Sequence, residues 1–159
     1  MIPEWHMYFM NMLPAIASRS KDPDTQIGCL IVGTDKGIRT SGYNSFPRGI
    51  RDDVPERFIR PVKYRWMHHA ERSAMDAAAR TGVALLGSTM YISRIPCINC
   101  EPGVVNVGIR EVIYDSCAQA KWITTTPQYA EDYIDVTTMF TEAGILLTGW
   151  DSFLNQTNP

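Results

Sequence analysis

No stretch of this sequence is apolar for long enough to cross a bilayer. The longest runs, such as Ile27 to Val32 and Val83 to Leu86, fall far short of the about 20 residues that a spanning helix needs. Basic excess is missing too: 15 lysines and arginines stand against 17 aspartates and glutamates, a formal net charge of −2. The chain therefore lacks the positive stripe with which proteins grip long nucleic acids. A single phosphate on a small substrate needs only one or two local cations and is compatible with that balance. There is no internal repeat, low-complexity tract or linker. No N-terminal segment joins a basic start, an apolar run and a cleavage site, so the expectation is a cytoplasmic protein with no secretory signal. Cysteine is sparse, at four residues. In a chain without an export signal, a C-x-x-C pair reads as metal-binding or redox rather than as part of a disulfide framework. Cys29, inside an apolar run, is expected in the core, and Cys117 takes no role.

What is present suits one globular domain spanning 1–159, with 45% hydrophobic residues to fill a core. Trp5 to Ala17 places apolar residues at helical spacing, with Pro14 set to kink or shorten that helix. Gln26 to Gly33 and Ile38 to Tyr43 read as strands joined by Asp35-Lys36-Gly37 into a hairpin. Asn44 to Met67 is polar, carries Pro47, Pro55 and Pro61, and reads as a long loop with at most one short helix. Helices are expected over Ala70 to Arg80, Cys97 to Val107 and Pro127 to Glu142. Further strands are expected at Thr89 to Ser93, Glu111 to Tyr114 and Ile145 to Thr148. Such alternation predicts an α/β fold, a three-layer α/β/α sandwich over a mixed sheet of about five strands.

The chemistry lies in His69-Ala70-Glu71 and Pro96-Cys97-Ile98-Asn99-Cys100. Alone, the C-x-x-C fits a redox pair, half of a structural zinc site or coincidence, and the His-Ala-Glu fits a helix cap or surface pair. Together and in this order they match the H-x-E…P-C-x-x-C signature of zinc-dependent nucleobase deaminases. A catalytic zinc needs three protein ligands and one open position, which His69, Cys97 and Cys100 would supply. On a helix the two cysteines lie at i and i+3, on one face, where the positive helix end would favour thiolates. Glu71 is then free to act as general acid and base. His68 breaks the H-x-E pattern as a competing ligand, and His6 lies in the opening amphipathic segment.

Beyond these motifs, Ser20-Lys21-Asp22-Pro23-Asp24-Thr25-Gln26-Ile27-Gly28 and Ser41-Gly42-Tyr43-Asn44-Ser45-Phe46-Pro47-Arg48-Gly49 resemble the deoxycytidylate (dCMP) deaminase family of the cytidine deaminase superfamily. The resemblance covers roughly Ser20 to Asp115. It implies the cytidine deaminase-like fold, a Zn2+ cofactor, a small-molecule nucleotide substrate, a homo-oligomer, and hydrolysis of dCMP to dUMP and ammonia for thymidylate synthesis. It further implies that Asn44 bonds the sugar hydroxyl and that Lys21 or Arg48 holds the 5′-phosphate, with Arg19 competing. Ala70 is placed in the substrate pocket, and Trp122 or Tyr129 is the candidate to stack on the base. Regulated members respond to dCTP and dTTP through the region where this chain has Ser45 in place of the common glycine. The alternatives are deamination of another free base, nucleoside or nucleotide (a purine such as guanine included), an editing deaminase on nucleic acid, and a non-catalytic zinc module. The charge balance weighs against editing, and Glu71 beside the ligands weighs against the non-catalytic module.

Overall fold

The structure, a computed structural model, describes residues 4–151. The opening segment forms two short helices, α1 (Trp5–Met10) and α2 (Leu13–Ala17), divided by a turn at Asn11 and Met12. The predicted single helix is thus split. Pro14, which has no amide hydrogen to donate, stands in the first turn of α2, where none is needed.

Strand β1 (Gly28–Val32) is buried along its whole length, as its unbroken apolar run requires, and pairs antiparallel with β2 (Ile38–Tyr43) through the predicted turn. The loop that follows holds a 3-10 turn at Pro55–Phe58 and one turn of helix, α3 (Lys63–Trp66). Helix α4 (Ala70–Thr81) ends at Gly82, whose φ of 71° makes the left-handed cap that glycine adopts without strain. Then come β3 (Thr89–Ile92), α5 (Glu101–Asn106), β4 (Glu111–Asp115), α6 (Ser116–Thr125), α7 (Pro127–Glu142) and β5 (Leu146–Trp150).

The sheet runs β2-β1-β3-β4-β5, antiparallel across its first two pairings and parallel across the last two. Alternate residues of the central strands serve opposite faces. Cys29, Ile31, Met90, Ile92 and Val112 join Ala74, Ala78 and Phe140 in one core. Leu30, Val32, Tyr91 and Ile113 join Phe9 and Leu13 in a second. These two cores, one to each face, are the predicted three layers. Among the described residues no helix is long and apolar enough to cross a membrane.

Two features of this packing place the site. Gly42 of β2 lies flush against the first turns of α4, where a Cβ would fall onto the Ala70 carbonyl oxygen and the Ala74 amide. Thr40 adds a hydrogen bond from its hydroxyl to the Ala74 carbonyl, at 3.0 Å. At the same end of the sheet Ser93 ties the exit of β3 to the entry of β1, its amide donating to the Gly28 carbonyl at 3.1 Å. The start of α4 and the loop after β3 are so held side by side, at the carboxyl ends of β2 and β3.

Candidate active site

His69 stands immediately before α4 with an extended backbone (φ −74°, ψ 156°). The residue ahead of it is pinned by an isolated bridge: the Ser45 amide donates to the His68 carbonyl at 3.0 Å and the His68 amide to the Ser45 carbonyl at 2.7 Å. Ala70 and Glu71 open the helix, both buried, with Glu71 only 4% exposed. Cys97 and Cys100 lie in a turn ahead of α5, closed by the Cys100 and Glu101 amides on the Cys97 carbonyl at 2.9 and 3.0 Å. Helix α5 therefore begins at Glu101, later than expected, and is six residues long. The thiols share a side through this turn and owe little to a helix dipole.

Both sulfurs approach one imidazole nitrogen. His69 Nδ1 is 3.4 Å from Cys97 Sγ and 3.5 Å from Cys100 Sγ, and a Glu71 carboxylate oxygen lies 3.9 Å from the same nitrogen. The four side chains offer atoms all within 4.8 Å of one another. A tetrahedral zinc with Zn–S near 2.3 Å and Zn–N near 2.0–2.1 Å sets sulfur and nitrogen about 3.5 Å apart. The observed separations fit that ion.

The electrostatics fit it as well. Cys97 is held at about 4, by the hydrogen bond from the Cys100 thiol and then by His69. Cys100, donating to that thiolate, is pushed well above its ordinary value. His69 is raised by its hydrogen bond with Cys97. One thiolate is thus already favoured, and a cation would take the place of the remaining thiol proton. Glu71 moves the opposite way from Cys97: burial raises its carboxyl, so that it holds a proton more readily than an exposed carboxyl does.

His69, Glu71 and Cys97 line a cavity of about 480 Å³. Residues 3–116 match the family described as the cytidine and deoxycytidylate deaminase zinc-binding region. The chain belongs to this family. A deoxycytidylate deaminase of Homo sapiens is 39% identical over 118 residues, covering 71% of this chain and 65% of that protein. The chain thus matches less than two thirds of that relative's length. An uncharacterized deaminase in the luxG 3′ region of Aliivibrio fischeri is 30% identical over 158 residues, covering 93% of this chain and 95% of that one. The fold is that of the dCMP deaminase of cyanophage S-TIM5, with a TM-score of 0.70 over 94% of this chain and 100% of that chain at 18% identity.

Around this zinc-binding region of the family, the residues singled out in the sequence divide into two groups. Asn44, Ala70 and Trp122 line the cavity. The Asn44 amide is already engaged: Oδ1 accepts from the Ile27 amide at 2.8 Å, and Nδ2 donates to the Thr25 carbonyl at 2.8 Å and to Asp22 at 3.4 Å. Trp122 packs against Tyr129, centroids 4.9 Å apart, and carries the Arg94 guanidinium 3.7 Å from its ring centre. Lys21 and Arg48 are exposed and do not line this cavity; Lys21 pairs with Asp52 at 2.8 Å. His68 bonds Asp76 at 2.7 Å, and His6 bonds the buried Tyr91 hydroxyl at 3.0 Å, so neither joins the cluster.

The cavity's own cations were missed. Lys63, 4% exposed, donates to Asp22 at 3.0 Å and to Asp24 at 2.8 Å. Arg60 reaches Asp24 at 3.4 Å. Arg94 pairs with no carboxylate among the described residues. The one sequence signal for it was its place two residues before Pro96 in the loop that carries the thiols.

Proposed function

We propose that this protein hydrolyses the exocyclic amine of dCMP, giving dUMP and ammonia and so supplying thymidylate synthesis. The observation that carries the reading is the convergence of His69, Cys97 and Cys100 beside the buried carboxyl of Glu71, at a cavity large enough for a nucleotide. Deoxycytidylate as substrate is supported by the relatives of that name, at 39% and 37% identity in the human and mouse proteins.

In this reading His69 Nδ1 and the two thiols hold zinc, which would supply the Lewis acidity that makes water nucleophilic near neutral pH. Every proton movement falls to Glu71. Its carboxylate takes a proton from the attacking water and passes it to the pyrimidine ring nitrogen beside the reacting carbon, then takes the proton of the hydroxyl formed on that carbon and gives it to the amine, which leaves as ammonia as the carbonyl forms. Burial raises the carboxyl, which favours its holding the proton between the two transfers. Ala70, with almost no side chain, leaves the base room against the cluster. Trp122 and Tyr129, packed against each other in the cavity wall, are the aromatic surface offered to the base. Asn44, its amide shared with Ile27 and Thr25, shapes the wall on the sugar side. The reading includes a cytoplasmic homo-oligomer, with dCTP and dTTP as the effectors to test at the region where Ser45 stands in place of the common glycine.

Ammonia release by zinc-loaded protein, measured on dCMP, CMP, dCTP, deoxycytidine, dAMP and dGMP, tests the proposal. Turnover led by dCMP is expected. A purine turned over first would replace the substrate and keep the chemistry. No turnover on any of them would overturn the reading.

A further inference from the structure

Arg94 leaves the sheet at the end of β3 and enters the cavity wall beside Cys97, Trp122 and Tyr129. Its guanidinium lies 3.7 Å from the centre of the Trp122 ring, within the range of a cation–π contact. Yet its Nη1 is buried without a hydrogen-bond partner among the described residues. No carboxylate among them pairs with it, although Asp132 also lines the cavity. Burial accordingly disfavours its charge. A guanidinium nitrogen that has lost water and gained no acceptor is costly, and arginine cannot relieve that cost by giving up its proton.

The other cations of the cavity are in a different position. Lys63 is consumed by Asp22 and Asp24, and Arg60 by Asp24. Lys21 and Arg48, the expected phosphate holders, lie outside it. We propose that Arg94 is the group that reads the 5′-phosphate of the substrate, with Trp122 holding its planar fork in place. This rests on the nucleotide reading above for the identity of the base, though not for the phosphate. A planar guanidinium presents paired N–H donors that match two phosphate oxygens. Stacking on Trp122 fixes the plane of that fork before the substrate arrives, so less side-chain freedom is lost on binding.

The test compares nucleotide with nucleoside. In Arg94→Met, the ratio of kcat/KM for dCMP to that for deoxycytidine should fall by about 10- to 100-fold, the size of a charge-assisted hydrogen bond removed. Arg94→Lys, which keeps the charge and loses the fork, should recover part of the ratio. An equal loss on both substrates would make Arg94 a base contact or a packing group and overturn the proposal, as would no loss on either. A second readout is independent of turnover. Tryptophan fluorescence, with Trp122→Phe identifying the responsive ring, follows binding of dCMP, dAMP and their nucleosides to the zinc-loaded protein. The proposal expects both phosphate esters to bind more tightly than their nucleosides, and Arg94→Met to erase the difference. If the wild-type protein deaminates no pyrimidine nucleotide while this Arg94-dependent preference persists, the dCMP reading fails and the phosphate site stands. A preference that survives Arg94→Met overturns the site whatever the substrate.

Discussion

At the scale of single residues the site asks opposite things of neighbouring groups. Cys97 must lose its proton easily, and the Cys100 thiol and His69 on either side see to that. Glu71, two residues from His69, is asked in the proposed reaction to hold a proton between transfers, and a nearly closed environment favours that. The pair of demands predicts separable losses. Glu71→Ala should bind zinc in full, remain folded, and lose about 10²- to 10⁴-fold in turnover, the span of a general acid–base group. Zinc content by atomic absorption and the rate of ammonia release check it together. Retained turnover would remove Glu71 from proton transfer, whereas lost zinc would make it a ligand. The cluster was legible in the sequence because each half of the set is contiguous: His69 with Glu71, Cys97 with Cys100. Arg94 was not legible, because what distinguishes it is the lack of a partner for Nη1 among the described residues, which no motif encodes. Lys63 was not legible either, since its meaning comes from Asp22, 41 residues away.

Elements follow from local pattern where pattern is strong. The apolar run of β1 and the Asp35-Lys36-Gly37 turn were sufficient for the hairpin, and Gly82 marked the end of α4. Helix α6 escaped because its ten residues, Ser116 to Thr125, have no clear apolar face. Its one local signal is Asp115, whose side chain accepts from the Ala118 amide at 3.0 Å as an N-cap. The start of α5 was placed too early because a turn closed on Cys97 resembles a first helical turn in sequence. The contact that matters most between elements, β2 against α4, depends on the absence of a side chain at Gly42. Gly42→Ala would force the Ala70 and Ala74 backbones away from the strand. We expect a loss of about 1–3 kcal/mol by urea unfolding, the cost of overpacking, together with weaker zinc binding as His69 and Glu71 move with the helix. A variant as stable as wild type, with unchanged zinc affinity, would show that the packing of α4 does not position the site.

For the molecule as a whole, pH probes both ends of the charge balance. Asp24, Asp35 and Asp53 lie below their ordinary values, chiefly through hydrogen bonds from Lys63, Arg39 and Arg51 respectively. Groups lowered on folding stabilise the native state above their unfolded values, so stability should fall as pH drops below about 4. At the alkaline end the responsible groups are buried or half-buried. Burial raises Tyr91 and Tyr114 to about 12. Lys63 is raised as well, burial opposing and its hydrogen bonds to Asp24 and Asp22 prevailing. Above pH 10 the unfolded chain gives up tyrosine protons that the folded chain keeps, so the unfolded state binds fewer protons and stability declines as pH rises. For Tyr91, 1% exposed, a rise from 10 to about 12 corresponds to roughly 2–3 kcal/mol lost across that interval. Urea midpoints measured from pH 8 to 12 should therefore trace a falling limb that Tyr91→Phe makes shallower. The variant also loses the hydrogen bond with His6 at 3.0 Å, so its stability at pH 8 should be lower by about 1 kcal/mol. The slope above pH 10 isolates the titration from that loss. Parallel limbs in wild type and variant would assign the alkaline decline to Lys63 and Tyr114, and would mean that the second core tolerates an ionised Tyr91.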